Sequence, residues 1–423
     1  MYIKLASGYK HFKRYREIAQ ILLKHGFGFV LGMLDLKKYL PFQKRFKQHE
    51  RQLNRKTLAK RLRLVLEELG PTFIKLGQLL STRADIISPE FIKELSKLQD
   101  EIAGVEFEKI EKVLNEELDD DYQNYFSDLN EECSAAASIA QIHKAKLNNN
   151  ESVILKIQRP GIRKKVKVDL EILENMAYLL QKRNIISAYI EPVKIIEKFK
   201  EGLNQEMDFN RELSNIKRFQ SNFADNPHII IPKVYESLSS KRLVVMEEIN
   251  GIKMSKINSN KKDINKSYIA ELGARSLFKQ ILLDGFFHAD PHPGNIFVVD
   301  SDKIAYIDFG LVGHISKKDR DIFATIYIAV IMKKTEVIVD KIMDIGIIAK
   351  DVSKRKIIME VDDLLSRYYS KSLDEISIKT LYKDIQRLIY KFHIKLPKEF
   401  FLLMRAAAVS EGVGSSLDPN FNI

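Results

Sequence analysis

Apolar residues recur at three- and four-residue spacings from about Lys56 to Asp100, which predicts a run of helices, and Ser88-Pro89-Glu90 supplies a helix start within it. Between about Cys133 and Gln158 the period shortens to two on either side of Asn148-Asn149-Asn150, the pattern of a β-hairpin. A long helical pattern follows from about Arg163 to Phe223. The stretch "IIIPKVYESLSSKRLVVMEEINGIKM" then predicts two more strands around a polar turn. From Asn265 onward the pattern is mostly helical, apart from a hairpin at 296–308. The chain carries no internal repeat, low-complexity run or long linker. Helices, a small sheet with an inserted helix, a short extended segment and a helical C-terminal half together predict an α+β chain with a two-lobed nucleotide-binding fold. The expected divisions are a basic, amphipathic helical segment (1–55), a helical extension (56–125), an N-lobe with a small antiparallel sheet and inserted helices (126–250), and a helical C-lobe (251–423).

Length changes this picture little, since 423 residues suffice for two or three domains with real cores. Cys133 is the only cysteine, so an intramolecular disulfide and a cysteine-based zinc site are both excluded, and a reducing compartment fits. Charge matters more. The net charge of +12 is concentrated in residues 1–66, where 17 Lys and Arg face three acids, Glu17, Asp35 and Glu50. Such a block suits an anionic membrane face better than nucleic acid, or else forms an ordinary solvated helical surface. Inside it, "IAQILLKHGFGFVLGML" (18–34) is interrupted by Lys24, His25 and two glycines, which argues against a bilayer-spanning helix. Two readings stay open for it: a membrane-surface or partner-docking helix, and plain internal packing. No small-residue cleavage site follows to suggest a signal peptide.

The candidate chemistry lies in "HADPHPGNIFVVDSDKIAYIDFG", His288 to Gly310. Phosphoryl transfer needs a cation on the phosphates, magnesium ligands and a carboxylate near the attacking oxygen. His288-Ala289-Asp290 followed by Asn295 keeps the H-x-D-x-x-x-x-N spacing, and Asp308 of Ile307-Asp308-Phe309-Gly310 follows a short apolar strand. Asp308 would hold magnesium, Asn295 a second ion, and Asp290 would orient or deprotonate an acceptor hydroxyl or water. Lys156 ends the strand "SVILK" in the manner of the V-A-I-K lysine that pairs with nucleotide phosphates. "VVMEEI" supplies the hinge strand expected to read adenine, with Glu247 and Ile249 as its contacts. His288 and His292 lack clustered Cys or acidic partners and are read as packing or hydrogen-bonding residues rather than metal ligands.

These motifs resemble the UbiB/AarF family of atypical kinase-like proteins, and the resemblance extends from about Tyr15 to the C-terminus. Lys75, Gly77 and Gln78 in "PTFIKLGQLLSTR" match the family's K-x-G-Q motif; Ala135, Ala136, Ala137 and Ser138 in "AAASIAQIH" match its alanine-rich loop; Glu206 and Asp208 in "EMDFNREL" match its E-x-D motif. The resemblance implies a protein-kinase-like fold with a helical N-terminal extension, ATP or ADP and Mg2+ as cofactors, and a role in isoprenoid-quinone or other lipid metabolism. It implies that the K-x-G-Q helix covers the nucleotide cleft and that its lysine meets Glu206 or Asp208. Lys75 and Gln78 lie three apart and share a helix face, with Leu76, Leu79 and Leu80 expected on the packing side. Glu206 and Glu212 compete for Lys156, and six positions along a helix point them apart. Glu212 is the preferred partner of Lys156, and Glu206 of the extension.

Alanine methyls restrict a loop that glycines would leave free to approach phosphates, so affinity for the triphosphate should suffer; the resemblance implies an altered nucleotide preference, toward the diphosphate. After Gly310 the chain enters a helix almost at once, without an A-P-E signature, and Ala289 stands where kinases carry an arginine. Phosphorylation of proteins in trans is therefore not expected. Many family members carry C-terminal membrane-crossing helices; the chain runs to "GVGSSLDPNFNI" without one, so a cytoplasmic protein, peripheral at the inner face of a membrane, is the expectation. The expected partners are an adenine nucleotide, an anionic membrane surface or prenyl-lipid precursor, and quinone-biosynthesis proteins. Two further readings are a phosphotransferase for a small hydroxylated metabolite and a nucleotide-gated lipid-binding scaffold.

Overall fold

The computed structural model describes residues 2–40, 57–98, 103–119, 121–185, 190–257, 264–346, 352–370, 377–418 and 421. Part of the basic N-terminal block (41–56) lies outside them. The chain divides into two compact units, the first made of 1–81, 90–145 and 155–208, the second of 82–89, 146–154 and 209–423.

The first unit opens with α1 (Tyr2–Lys24) and α2 (Gly28–Met33). Their apolar residues Ile18, Ala19, Leu22, Leu31 and Leu34 are buried. The stretch 18–34 therefore takes the internal-packing course, its helix lying against α3 (Leu58–Leu69) and the later α7 (Ile162–Lys182). Arg14 fixes this packing through a buried ion pair to Asp169 at 2.7 Å and a second bond to the Leu69 carbonyl. Thr57 caps α3, and Gly70, at φ +93°, ends it just before Pro71 begins α4 (Pro71–Ser81). The short helices α5 (Pro89–Leu95) and α6 (Phe107–Glu117) follow.

Strands β1 (Phe126–Leu129), β2 (Ala135–Ala136), β3 (Ala140–Leu147) and β4 (Ser152–Gln158) come next, with β3 between β1 and β4 and β2 paired to β3. Asn150, at φ +67°, turns the β3–β4 hairpin where the triple asparagine predicts it. The pattern read as one helix from Arg163 to Phe223 is three: α7, α8 (Pro192–Glu206) and α9 (Phe209–Asn222). Proline at the first position starts α8. At its end, the Met207 carbonyl is taken by Gln158 Nε2 (2.9 Å) and Arg163 Nη2 (2.8 Å) instead of by a further helical turn.

Helix α9 belongs to the second unit. There β5 (Ile229–Ile230) pairs in parallel with β10 (Lys303–Tyr306), not with β6 (Leu243–Glu247) as the sequence pattern suggests. A lone bridge, Val234 to Met246, is what remains of the expected hairpin. With β7 (Ile252–Lys253) and β9 (Ile296–Val299) these form a sheet ordered β5-β10-β9-β7. The hairpin at 296–308 is present as β9 and β10, with Tyr306 opposite Ile296. A two-stranded ribbon, β8 (Phe286–His288) with β11 (Val312–His314), adds to the strands that the sequence pattern predicts. After α9, the α-helices of this unit among the described residues are α10 (Lys266–Phe278), α11 (Lys317–Ile331), α12 (Thr335–Ile345), α13 (Lys354–Tyr369), α14 (Ile378–Lys391) and α15 (Lys398–Leu417). A π-helical turn, Lys279–Asp284, extends α10. Among the described residues no helix is long and apolar enough to cross a membrane.

Candidate active site

In the second unit, two backbone pairings gather the predicted acidic and amide side chains. The β9–β10 register puts Asn295 beside Ile307, whose N–H donates to the Asn295 carbonyl at 3.1 Å, so Asn295 and Asp308 leave the same end of the hairpin. The β8–β11 ribbon does the same for Asp290: Ala289 N–H donates to the Leu311 carbonyl at 3.1 Å, one residue beyond Gly310. The Asp290 carbonyl receives the His292 N–H (2.7 Å) and the Asn295 Nδ2 (3.3 Å), which commits the amide nitrogen of Asn295 and leaves its oxygen as the atom a cation would meet. Gly310 N–H donates to Asp308 Oδ1 at 3.1 Å. Asp290, Asn295 and Asp308 are all half-buried.

His288 ties the two loops together. Its Nε2 donates to the Asp308 carbonyl at 2.5 Å, and its Nδ1 accepts the Asp290 N–H at 3.2 Å. A carbonyl can only accept, so the proton sits on Nε2 and the ring is neutral. Burial pushes the His288 pKa down, against the pull of Asp308 and Asp290. Its own N–H donates to Gln280 Oε1 at 2.9 Å, and Gln280 continues through Ser276 to the Tyr306 hydroxyl, each step 3.1 Å. All four of these residues are buried, so every polar atom in the chain is spent on position. Gln280 reaches the loop from the π-helical turn, a distortion often found at functional sites. His292 serves the turn, its Nδ1 accepting the Gly294 N–H at 3.2 Å.

Helix α9 grips Phe309 from the other side. Glu212 Oε1 accepts the Phe309 N–H at 3.4 Å, and Asn215 Nδ2 donates to the Phe309 carbonyl at 2.9 Å. The Phe309 ring is fully buried and stacks at a tilt on Phe219, centroids 5.0 Å apart. Glu247 and Glu248 spend their N–H groups inward, on the Lys233 and Ser152 carbonyls at 2.8 and 3.1 Å. Ile249 follows, half-buried.

The first unit holds the remaining candidates. Lys75 forms an ion pair with Glu206, and Gln78 Nε2 donates to the Leu98 carbonyl at 3.3 Å. A β-carbon on Gly77 would stand 2.3 Å from Leu98 Cδ1 and 2.7 Å from Leu66 Cδ1, so only glycine lets α4 pack this closely. The packing side of α4 is made by Phe73, Ile74 and Leu76; Leu79 and Leu80, expected there, are only half-buried. Asp208 is half-buried just past the end of α8, and Lys156 is half-buried on β4. Ala135 and Ala137 are exposed and Ala136 half-buried, and the Ala137 N–H is already committed to the Ala140 carbonyl at 2.8 Å. Ser138 is buried, with no partner for its hydroxyl among the described residues.

The rest of that motif has a structural use that sequence reading missed. Gln141 takes both the Val105 N–H (2.8 Å) and, through Nε2, the Val105 carbonyl (3.2 Å). Its second Nε2 proton goes to His143 Nε2 at 3.0 Å, while His143 Nδ1 donates to the Asn130 carbonyl at 2.9 Å. Arg159 adds bonds to the Ala137 and Ala103 carbonyls. His143, too, is fully buried and has its pKa lowered by burial.

Both histidines are neutral in the fold and have pKa values below their ordinary 6.5. Below that pH the unfolded chain binds protons that the folded chain refuses, so stability is full above pH 6.5 and is lost as pH falls toward the folded values. Thermal unfolding at pH 7.5 and at lower pH checks this. The melting temperature should fall on acidification, and less so in His143→Gln; an unchanged difference in that variant would refute the assignment.

A magnesium ion fits this donor set. It takes oxygen ligands, keeps several waters and draws others from substrate phosphates, so one aspartate and one asparagine oxygen are an adequate protein share. Among the described residues no group of three His, Cys, Asp or Glu could hold a metal instead.

Residues 97–342 match the ABC1 atypical kinase-like domain, and residues 361–422 match the UbiB helical domain. The chain belongs to the UbiB/AarF family. An uncharacterized protein from the hydrogenase 1 5' region of Clostridium pasteurianum is 36% identical over 415 residues, covering 97% of this chain and 74% of that one. The probable protein kinase UbiB of Aliivibrio fischeri is 32% identical over 374 residues, covering 87% and 69%. Among curated relatives the chain spans from 52% to 74% of their length. Rv3197 of Mycobacterium tuberculosis, solved in complex with erythromycin, superimposes with a TM-score of 0.58 at 24% identity over 84% of this chain and 90% of that one, a likeness of fold. This UbiB-family chain thus has a kinase-like α+β fold with helical segments at both ends.

Proposed function

We propose that this UbiB-family chain is a magnesium-dependent ATPase or phosphotransferase that supports isoprenoid-quinone or related lipid metabolism and does not phosphorylate proteins in trans. The observation that carries the reading is the convergence of Asp290, Asn295 and Asp308 through the Ile307–Asn295 and Ala289–Leu311 backbone bonds and the His288 bridge. Asn295 and Asp308 would hold the magnesium, which supplies neutralisation of charge on the transferring phosphoryl oxygens. Lys156 adds a cation to the nucleotide phosphates, with Glu212 assigned as its partner, and the Glu247–Ile249 segment meets the adenine. Asp290 aligns a hydroxyl or water for in-line attack.

Only six residues separate Gly310 from α11, too few for a protein-docking activation segment, which supports a small acceptor or water. The names of relatives, UbiB kinases among them, support the quinone connection. Lys75, paired with Glu206, is assigned with Gln78 and Asp208 to regulation of the nucleotide site.

The test is calorimetric titration of the full chain with ADP and ATP at millimolar magnesium, alongside phosphate release with and without anionic liposomes. Magnesium-dependent uptake and turnover are expected. A folded chain that takes up neither nucleotide would defeat the reading; turnover only with a soluble hydroxyl acceptor would move it to a metabolite kinase.

The committed Ala137 amide supports weak gripping of a triphosphate by the alanine-rich loop. Ala137→Gly should relax the loop and tighten ATP binding by about 1 kcal/mol or less, up to about fivefold in Kd, with ADP little changed. Equal ATP affinity in the two proteins would count against the loop as the selective element.

A further inference from the structure

Asp290 is met by an arginine from near the other end of the chain. Arg405 Nη2 donates to Asp290 Oδ1 at 3.2 Å. Arg405 lies on α15, within the segment that matches the UbiB helical domain. Its neighbour Ala406 is fully buried in one core cluster with Leu277, Ile281, Phe287, Ala289 and Ile315. That cluster contains both residues flanking His288, so α15 is anchored at the base of the catalytic loop and Arg405 is delivered to the carboxylate. The substitution noted in the sequence takes on a meaning here. Ala289 has no accessible surface, and an arginine in its place would have to displace this packing. The loop gives up a local guanidinium and receives one from α15.

We propose that Arg405 is a positioning residue for phosphoryl transfer, fixing the rotamer from which Asp290 aligns the acceptor oxygen, so that the C-terminal helical domain completes the site. This rests on the role given to Asp290 above. Stability is a poor explanation for the pair. Both side chains are about one-third exposed, and ion pairs so accessible to water contribute little to folding. Orientation has more leverage, because a small misplacement of a catalytic group can cost about 100-fold in rate. Asp290 sits on a loop and has rotamer freedom to lose; Arg405 sits on a twenty-residue helix with a packed flank.

The experiment uses the full chain as wild type, Arg405→Gln, Arg405→Lys, Asp290→Asn and the Arg405→Gln/Asp290→Asn pair. Magnesium-dependent phosphate release gives kcat and KM, and calorimetry gives nucleotide affinity. Arg405→Gln should lower kcat by about 10- to 100-fold while nucleotide affinity stays within about twofold. Arg405→Lys should regain part of the loss, and Arg405→Gln should cost nothing further when Asp290 is already asparagine. Wild-type kcat in Arg405→Gln, losses that multiply in the double variant, or loss of nucleotide binding together with melting temperature would each overturn the proposal. A wild-type chain that binds no nucleotide fails at the earlier step and overturns the parent reading, which distinguishes the two.

Discussion

Asp308→Asn is expected to reduce magnesium-dependent phosphate release by about 1,000-fold, roughly 4 kcal/mol of transition-state stabilisation, without unfolding the protein. The substitution keeps shape. The bond from His288 goes to the Asp308 carbonyl, which is main chain, and the asparagine oxygen can still accept the Gly310 N–H. What is lost is one negative charge at the place where a divalent cation would be held. Phosphate release across a magnesium titration, with melting temperature as the control for folding, measures the effect. Turnover within tenfold of wild type at matched magnesium would remove Asp308 from the metal site.

The second large effect is expected at Gly313, which carries no side chain of its own. Gly313 stands opposite Phe287 in the β8–β11 ribbon, and a β-carbon there would lie 2.1 Å from Phe287 Cζ and 2.3 Å from Cε1. Phe287 has no exposed surface, so its ring cannot swing outward. Gly313→Ala should destabilise the second unit by about 3 kcal/mol, at the upper end of what overpacking costs. Because the same ribbon positions Asp290, activity should fall with it. Calorimetric melting reads the loss, and Gly313→Ala combined with Phe287→Leu should recover part of it by making room. A melting temperature unchanged by Gly313→Ala would mean that the ribbon yields more easily than its burial implies.

What was legible in the sequence was what local chemistry dictates. Asn148-Asn149-Asn150 turns a hairpin because asparagine tolerates left-handed backbone, and the spacing of Asp290, Asn295 and Asp308 survives because one hairpin and one loop separate them. Helix breaks inside a continuous amphipathic pattern were not legible, since α7, α8 and α9 share one period and the stop at Met207 is imposed by Gln158 and Arg163. Three-residue strands such as β8 and β11 are too short to show any period. The apolar stretch 18–34 has the composition of a docking helix, and only its tertiary neighbours reveal that its face is used internally.

Within the candidate site, the acidic and amide residues that the structure gathers are legible from their spacing, and the residues that hold them in place are not. Asn215 lies 94 positions from Phe309 and Arg405 lies 115 from Asp290, separations at which a single sequence gives no signal. Gln280 was hidden differently, because a glutamine in a helix is ordinarily a solvated residue. The second half of "AAASIAQIH" could have been suspected, as Gln141 and His143 fall at strand-alternating positions with no reason to be polar on a buried face.

Phe309 is held at both its amide and its carbonyl by one helix. Glu212 and Asn215 are a single turn apart on α9 and hold the amide and the carbonyl of the same residue, so the helix and the peptide unit beside Asp308 are geared to one another. A roll of that helix about its axis would drag the aspartate's backbone with it, as a crank moves its pin. Solvent exchange at the Phe309 amide proton is therefore a gauge of helix motion read one residue from the Asp308 carboxylate.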